Sequence, residues 1–174
     1  STNPSIGYII GNEDFWKDTD YTEYLYTKAG DFLTSGGQHT VTYMEDDALE
    51  SGQYYLYMFD NNFGYSKTRK EYDWTVNEGI QTSITEGKTS YYYQYLVDEN
   101  EGTYTLVNSF EVPFSAYVSS AQNLGNHIVI DSGIAGLLSI YDTDGNLEQQ
   151  LSIKKNDRFI YLIYYYDYKG YYFS

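Results

Sequence analysis

Spacing constrains this chain most. From Gln38 onward it breaks into short runs of β-branched and aromatic residues, with turn signals about every ten residues. Thr40, Thr42 and Met44 alternate with Val41 and Tyr43. Further runs follow at Tyr54–Phe59, Ser90–Val97, Tyr104–Val112, Ser115–Gln122, His127–Asp131, Gly136–Tyr141, Leu147–Ile153, Arg158–Tyr166 and Gly170–Phe173. Asp98–Gly102, Pro113, Gly125-Asn126 and the Asp-Gly turn in Asp142–Asn146 separate them. No segment sustains a long helical period, and Asp18–Tyr26 is the best place for a short helix. About ten strands and no long helix predict an all-β fold. Tyr54–Phe59 is aromatic at both parities, which predicts a strand covered on both faces.

The spacing also predicts a grouping. Four short antiparallel strands in about 40 to 45 residues make one blade of a β-propeller. Residues 115–153 fit such a unit, and residues 38–112 fit a second, enlarged by the polar stretch Phe63–Lys88. Residues 158–173 would begin another blade, and the apolar run Ile6–Ile10 would end an earlier one. A ring needs about four to eight blades. Residues 1–174 are therefore expected to be a single all-β region, the C-terminal portion of a larger propeller. Its open edges would be covered by upstream blades or by a second copy. A free-standing β-sandwich is the alternative. The chain starts at Ser1 without Met or a signal peptide, so removal of an upstream segment is expected.

Composition narrows the function. Lys and Arg total 10 against 25 Asp and Glu, a net charge of −15, which opposes binding to a phosphate backbone and excludes nucleic acid. The absence of cysteine removes disulfides, thiolate metal sites and a cysteine nucleophile. The two histidines, His39 and His127, are too few for a multi-histidine metal centre or a Ser-His-Asp set with choice of partner. Neither a metal nor a cofactor is expected. No run approaches the roughly 18 apolar residues of a membrane helix. The acidic, cysteine-free, Tyr-, Asn- and Thr-rich composition suggests an extracytoplasmic protein, secreted or on the cell surface. Asp142–Glu148 has the wrong spacing for a calcium loop, because Gly145 precedes Asn146, and reads as a plain hairpin. The runs Tyr91–Tyr93 and Tyr164–Tyr166 read chiefly as packing, with a stacking platform for phenols or sugars as the alternative.

Several elements recur in a recognisable order. Gly11-Asn12 leads to Trp16, a tyrosine-rich stretch follows, and then comes Gln38-His39-Thr40. A strand ends Phe59-Asp60-Asn61, and a Tyr-x-Val-Asp-Glu-Asn-x-Gly-Thr hairpin occupies Tyr95–Thr103. Gln122–Ile128 and Tyr141–Asn146 fit the same pattern. In this order the chain resembles the C-terminal part of the bacterial arylsulfotransferases, the 3′-phosphoadenosine-independent aryl-sulfate sulfotransferases. The resemblance implies an exported six-bladed β-propeller acting on phenolic sulfates and phenols. It implies a two-step transfer in which a histidine takes the sulfuryl group from a donor and passes it to an acceptor phenol, with other histidines and an arginine holding the sulfuryl oxygens.

The resemblance places His39 in the catalytic site. It places the sulfate-binding arginine shortly after the Phe59-Asp60-Asn61 strand end, where Arg69 and Lys67 stand. The family's last essential histidine should fall near Arg158–Tyr161, where this chain has none. His127 lies where the family has no catalytic residue. Without the resemblance, His39 reads equally as a strand histidine with a local hydrogen bond. Lys67, Arg69 and Lys70 read as a solvated loop or as an anion patch in an otherwise acidic chain. The alternative function is a degenerate, non-catalytic propeller module that binds an aromatic or glycan ligand.

Overall fold

A computed structural model describes residues 5–86, 89–154 and 156–166. It is all-β, with two antiparallel meanders and very little helix. The first meander runs β2 (Gln38–Met44), β3 (Gln53–Asp60), β4 (Ser90–Asp98) and β5 (Thr103–Val112). The short β1 (Thr27–Lys28) adds parallel to the outer edge of β5. The second runs β6 (Ser120–Asn123), β7 (His127–Ser132), β8 (Leu137–Asp142) and β9 (Leu147–Ser152).

Alternation decides how the sheets pack. Tyr57 and Phe59 of β3, Tyr92 of β4 and Val112 of β5 face Ala121, Ile128, Ile130 and Tyr141 of the second sheet in one buried cluster. Tyr54 and Met58 of β3 point the other way, with Tyr93, Tyr95, Val97 and Tyr104. There the N-terminal segment covers them through Tyr8, Ile10, Tyr26 and Phe32. The strand with aromatics at both parities is thus covered on both faces, as expected. Each fully buried ring contributes about 2–3 kcal/mol of transfer free energy. Tyr92 is fully buried, yet its hydroxyl is satisfied: it donates to Gln94 at 3.2 Å and accepts from the Asn123 amide at 3.1 Å. That second bond ties one sheet to the other. The Tyr91–Tyr93 run is packing at these positions.

The Asp142–Asn146 turn closes on itself. Asp142 accepts from the backbone N–H of Asp144 at 2.9 Å and of Asn146 at 2.8 Å, and Gly145 takes the left-handed conformation at φ 81°.

Four local expectations change. The expected strand at 115–122 begins only at Ser120, because Val118 and Ser119 take φ 58° and 94°. Residues 158–166 form no strand, because backbone ladder bonds are largely replaced by side-chain bonds from β6. Ser120 Oγ donates to the Ile163 carbonyl at 2.9 Å and accepts its N–H at 3.0 Å. Gln122 does the same for Tyr165 with its amide, at 3.0 and 2.7 Å. At the other end, Ile6–Ile10 carries only a single bridge, between Ile9 and Leu25. The helix expected within Asp18–Tyr26 is a 3₁₀ turn at Thr22–Tyr24, and one α-helical turn, α1, lies earlier at Glu13–Trp16. Gly170–Phe173 lies outside the described residues.

Candidate functional site

A cavity of about 890 Å³ opens where β2 begins. Its walls come from α1, the Ser35–Gly37 loop, the loop after β3 and residues 116–118. Asn12 shapes the first wall. Its side chain accepts from the Phe15 N–H at 3.0 Å, which caps α1, and donates to Asn77. Asn77 in turn donates to the Tyr72 hydroxyl at 3.0 Å. Phe15 stacks on Trp74 at 5.1 Å and meets Tyr72 edge-on at 5.0 Å, an apolar wall suited to an aromatic ring.

The floor is set by a buried carboxylate. Asp60 ends β3 with no exposed surface and accepts from the N–H of Gly37 at 2.7 Å and of Gly36 at 3.2 Å. Burial pushes its pKa up to about 6 against the downward pull of the backbone N–H bonds. A side chain at residue 36 would place its Cβ 2.9 Å from Ile80, so glycine is needed there for close approach. The clamp fixes the two residues that lead into Gln38 and His39. Asn61 locks the opposite wall, donating to the carbonyls of Ser115 at 2.6 Å and Val118 at 2.9 Å.

His39 lines this cavity and is half-buried. It sits at an irregularity in the β2–β3 pairing, beside Thr40 at φ 56°. Its Nδ1 lies 3.4 Å from the Thr40 hydroxyl, which donates to the Ser119 carbonyl at 3.0 Å. Tyr161 meets the imidazole edge-to-face, with centroids 5.6 Å apart. Sequence reading missed this residue. The two are far apart in the chain, and only the fixing of residues 160–165 along β6 brings them together. Within that region the Ile160 N–H reaches Gly133 at 3.2 Å, and the Ser119 N–H reaches the Tyr161 carbonyl at 3.0 Å.

The loop after β3 alternates. Ser66 and Thr68 line the cavity, whereas Lys67 is exposed and Arg69 turns back into the wall. Arg69 donates to the Phe15 carbonyl and lies over the rings of Phe15 at 4.9 Å and Tyr72 at 5.4 Å. Neither Arg69 nor Lys67 is among the lining residues, and among the described residues the lining includes no lysine, arginine, aspartate or glutamate. His127 stands apart at the start of β7, in a half-exposed pair with Glu148 at 2.7 Å. Among the described residues no cluster of His, Asp and Glu could hold a metal ion. No helix among them is long and apolar enough to cross a membrane.

No curated protein sequence matches the chain. The family model for Arylsulfotransferase (ASST) matches residues 1–168, which takes in both meanders, the cavity and His39. The chain therefore belongs to the arylsulfotransferase family.

Proposed function

We propose that the chain contributes the site of a sulfuryl transfer between phenolic compounds, with His39 as the group that receives and returns the sulfuryl. The observation that carries this is the placement of His39, the single imidazole lining a large aromatic-walled cavity, in a chain of this family. An imidazole nitrogen attacks the sulfur of an aryl sulfate, a nitrogen–sulfur bond forms, and the sulfur–oxygen bond to the aryl group breaks. The phenolate leaves and takes up a proton. The oxygen of an acceptor phenol then attacks the same sulfur, the nitrogen–sulfur bond breaks, and the acceptor gives up the proton that balances the first step. The Ser66 and Thr68 hydroxyls face the sulfuryl oxygens, and Lys67 and Arg69 supply the positive field behind them. The site sits in a β-propeller of which the two meanders are neighbouring blades, and upstream blades or a second copy complete it. The protein acts outside the cytoplasm.

The test is an assay of the full-length protein with an aryl sulfate donor and a phenol acceptor. His39→Ala is expected to lower transfer at least 100-fold. No transfer by the unaltered protein, or transfer insensitive to that substitution, would sink the reading.

One observation favours the second reading, a non-catalytic module for an aromatic or glycan ligand. Among the described residues the lining holds no lysine or arginine, and Arg69 is held against Phe15 rather than free. Titration of phenols and glycans without turnover would support the module, and no binding of either would exclude it.

A further inference from the structure

Tyr117 has two sides. One lines the His39 cavity, and the other lines a neighbouring cleft of about 560 Å³. That cleft carries Lys154, Asp157 and Arg158, with Phe159 meeting the Tyr117 ring edge-on at 5.7 Å. Two cations against one acid make it locally positive on a chain of net charge −15. Among the described residues, neither Lys154 nor Arg158 takes part in an ion pair. The main cavity is the reverse: largely apolar and aromatic, with no lysine, arginine, aspartate or glutamate in its lining among the described residues. An aromatic ring laid on Tyr117 therefore has a neutral pocket with an imidazole on one side and unneutralised cations on the other.

We propose that the cleft beyond Tyr117 is an anion subsite of the His39 cavity. It takes the carboxylate of a hydroxyaryl carboxylic acid whose ring lies against Tyr117. The ligand class follows from the chemistry. A ring matches the exposed face of Tyr117, and a planar carboxylate matches the guanidinium fork of Arg158, with Lys154 as a second point charge. The surrounding negative charge raises selectivity, since an anion finds net repulsion elsewhere on the surface. Asp157 opposes the carboxylate and tunes the affinity downward. The inference rests on the phenol reading of the His39 cavity, so the experiment separates the two.

Calorimetry compares 3-(4-hydroxyphenyl)propionate, its neutral counterpart 4-propylphenol, and propionate alone. The His39 ring protons, followed by NMR, report occupation of the cavity, with His127 as an internal control. The acid is expected to bind at least about 5-fold tighter than 4-propylphenol in dilute buffer, as suits exposed charge pairs, and to lose that advantage at high salt. Both ring-bearing ligands should shift the His39 signals and leave those of His127 in place. The Lys154→Gln/Arg158→Gln double variant should abolish the advantage while 4-propylphenol binds as before. Lys17→Gln/Lys28→Gln, an equal loss of charge elsewhere, should leave the advantage intact, and Asp157→Asn should increase it about 2-fold.

If 4-propylphenol shifts His39 but the acid binds no better, the subsite is overturned and the phenol reading stands. An advantage that survives the double variant has the same result. If the acid binds no better than propionate and neither ring-bearing ligand shifts His39, both readings fall. Absence of binding by all three ligands also overturns both.

Discussion

Each meander ends its second strand near a buried aspartate, and the two residues are treated differently. Asp60 pairs in register with Gln38, the first residue of β2, and Asp131 pairs with Ser120, the first residue of β6. Both carboxylates are fully buried. Asp60 receives the N–H of Gly37, the residue before β2. The residue before β6 is Ser119, and its N–H goes to Tyr161 instead. Among the described residues Asp131 has neither oxygen hydrogen-bonded, and burial pushes its pKa up to about 7. The same position in two similar sheets is a clamp in one and, among the described residues, an unpartnered carboxyl in the other. What decides is where one backbone N–H points. At Gly37 it turns inward to hold the His39 site. At Ser119 it turns outward to hold the segment that carries Tyr161.

The sharpest way to break this comparison is one substitution made twice. At pH 5, Asp60→Ala strands two glycine N–H groups and is expected to cost about 2–4 kcal/mol, a fall in Tm of roughly 5–15 °C. Asp131→Ala at the same pH removes no hydrogen bond and is expected to cost about 1 kcal/mol for the space it leaves. Equal losses in thermal melts would show that the clamp carries no special stability.

pH separates the pair next. A carboxyl whose folded pKa is raised keeps its proton after the unfolded chain has released its own. Stability contributed by such a group is complete below the ordinary carboxylate range and is lost as pH rises through the folded value. For Asp60 the loss runs from about pH 4 to about 6, and for Asp131 from about pH 4 to about 7. Asp131→Asn is therefore expected to stabilise the protein at pH 8 by about 4 kcal/mol and to have little effect at pH 4. Denaturant unfolding across that range measures it, and a parallel profile for variant and parent would refute it.

A smaller effect tests the outward-turned side. Ser120→Ala removes both bonds to Ile163 and is expected to loosen residues 160–165, at about 1–2 kcal/mol. The His39 ring protons should then lose the ring-current shift from Tyr161, as they should in Tyr161→Ala. Unchanged His39 signals in both variants would place the tyrosine elsewhere in solution. The smallest effect is expected at the exposed pair of His127 and Glu148, where Glu148→Gln should change stability by under about 1 kcal/mol.

The parts legible in the sequence are those whose partners are close along the chain or follow a period. Alternation placed Tyr54 and Tyr57 on opposite faces of one strand, and Asp142-Thr143-Asp144-Gly145 announced its hairpin. The order of motifs around Gln38-His39-Thr40 pointed to the family whose model matches residues 1–168. Illegible were contacts made at a distance by irregular backbone. Arg69 looks like a free cation until the Phe15 carbonyl, 54 residues earlier, takes its guanidinium. Arg158–Tyr166 has the composition of a strand, but its partners are the side chains of Ser120 and Gln122, which no period-two pattern reveals. The left-handed turn at Val118 and Ser119 carries neither glycine nor asparagine to signal it.

The paired grip of Ser120 and Gln122 makes chain length itself a determinant of chemistry. The two gripping residues are two apart, and so are Ile163 and Tyr165, which they hold. Removing one residue between Ile153 and Phe159 would offer the grip Tyr164 and Tyr166 in place of Ile163 and Tyr165 and move Leu162 to the place that Tyr161 holds. Tyr161 would then no longer face His39, although no residue of the cavity had been altered. A single-codon deletion in that connection is predicted to act as a remote lesion of the site, and restoring the length with any small residue should repair it.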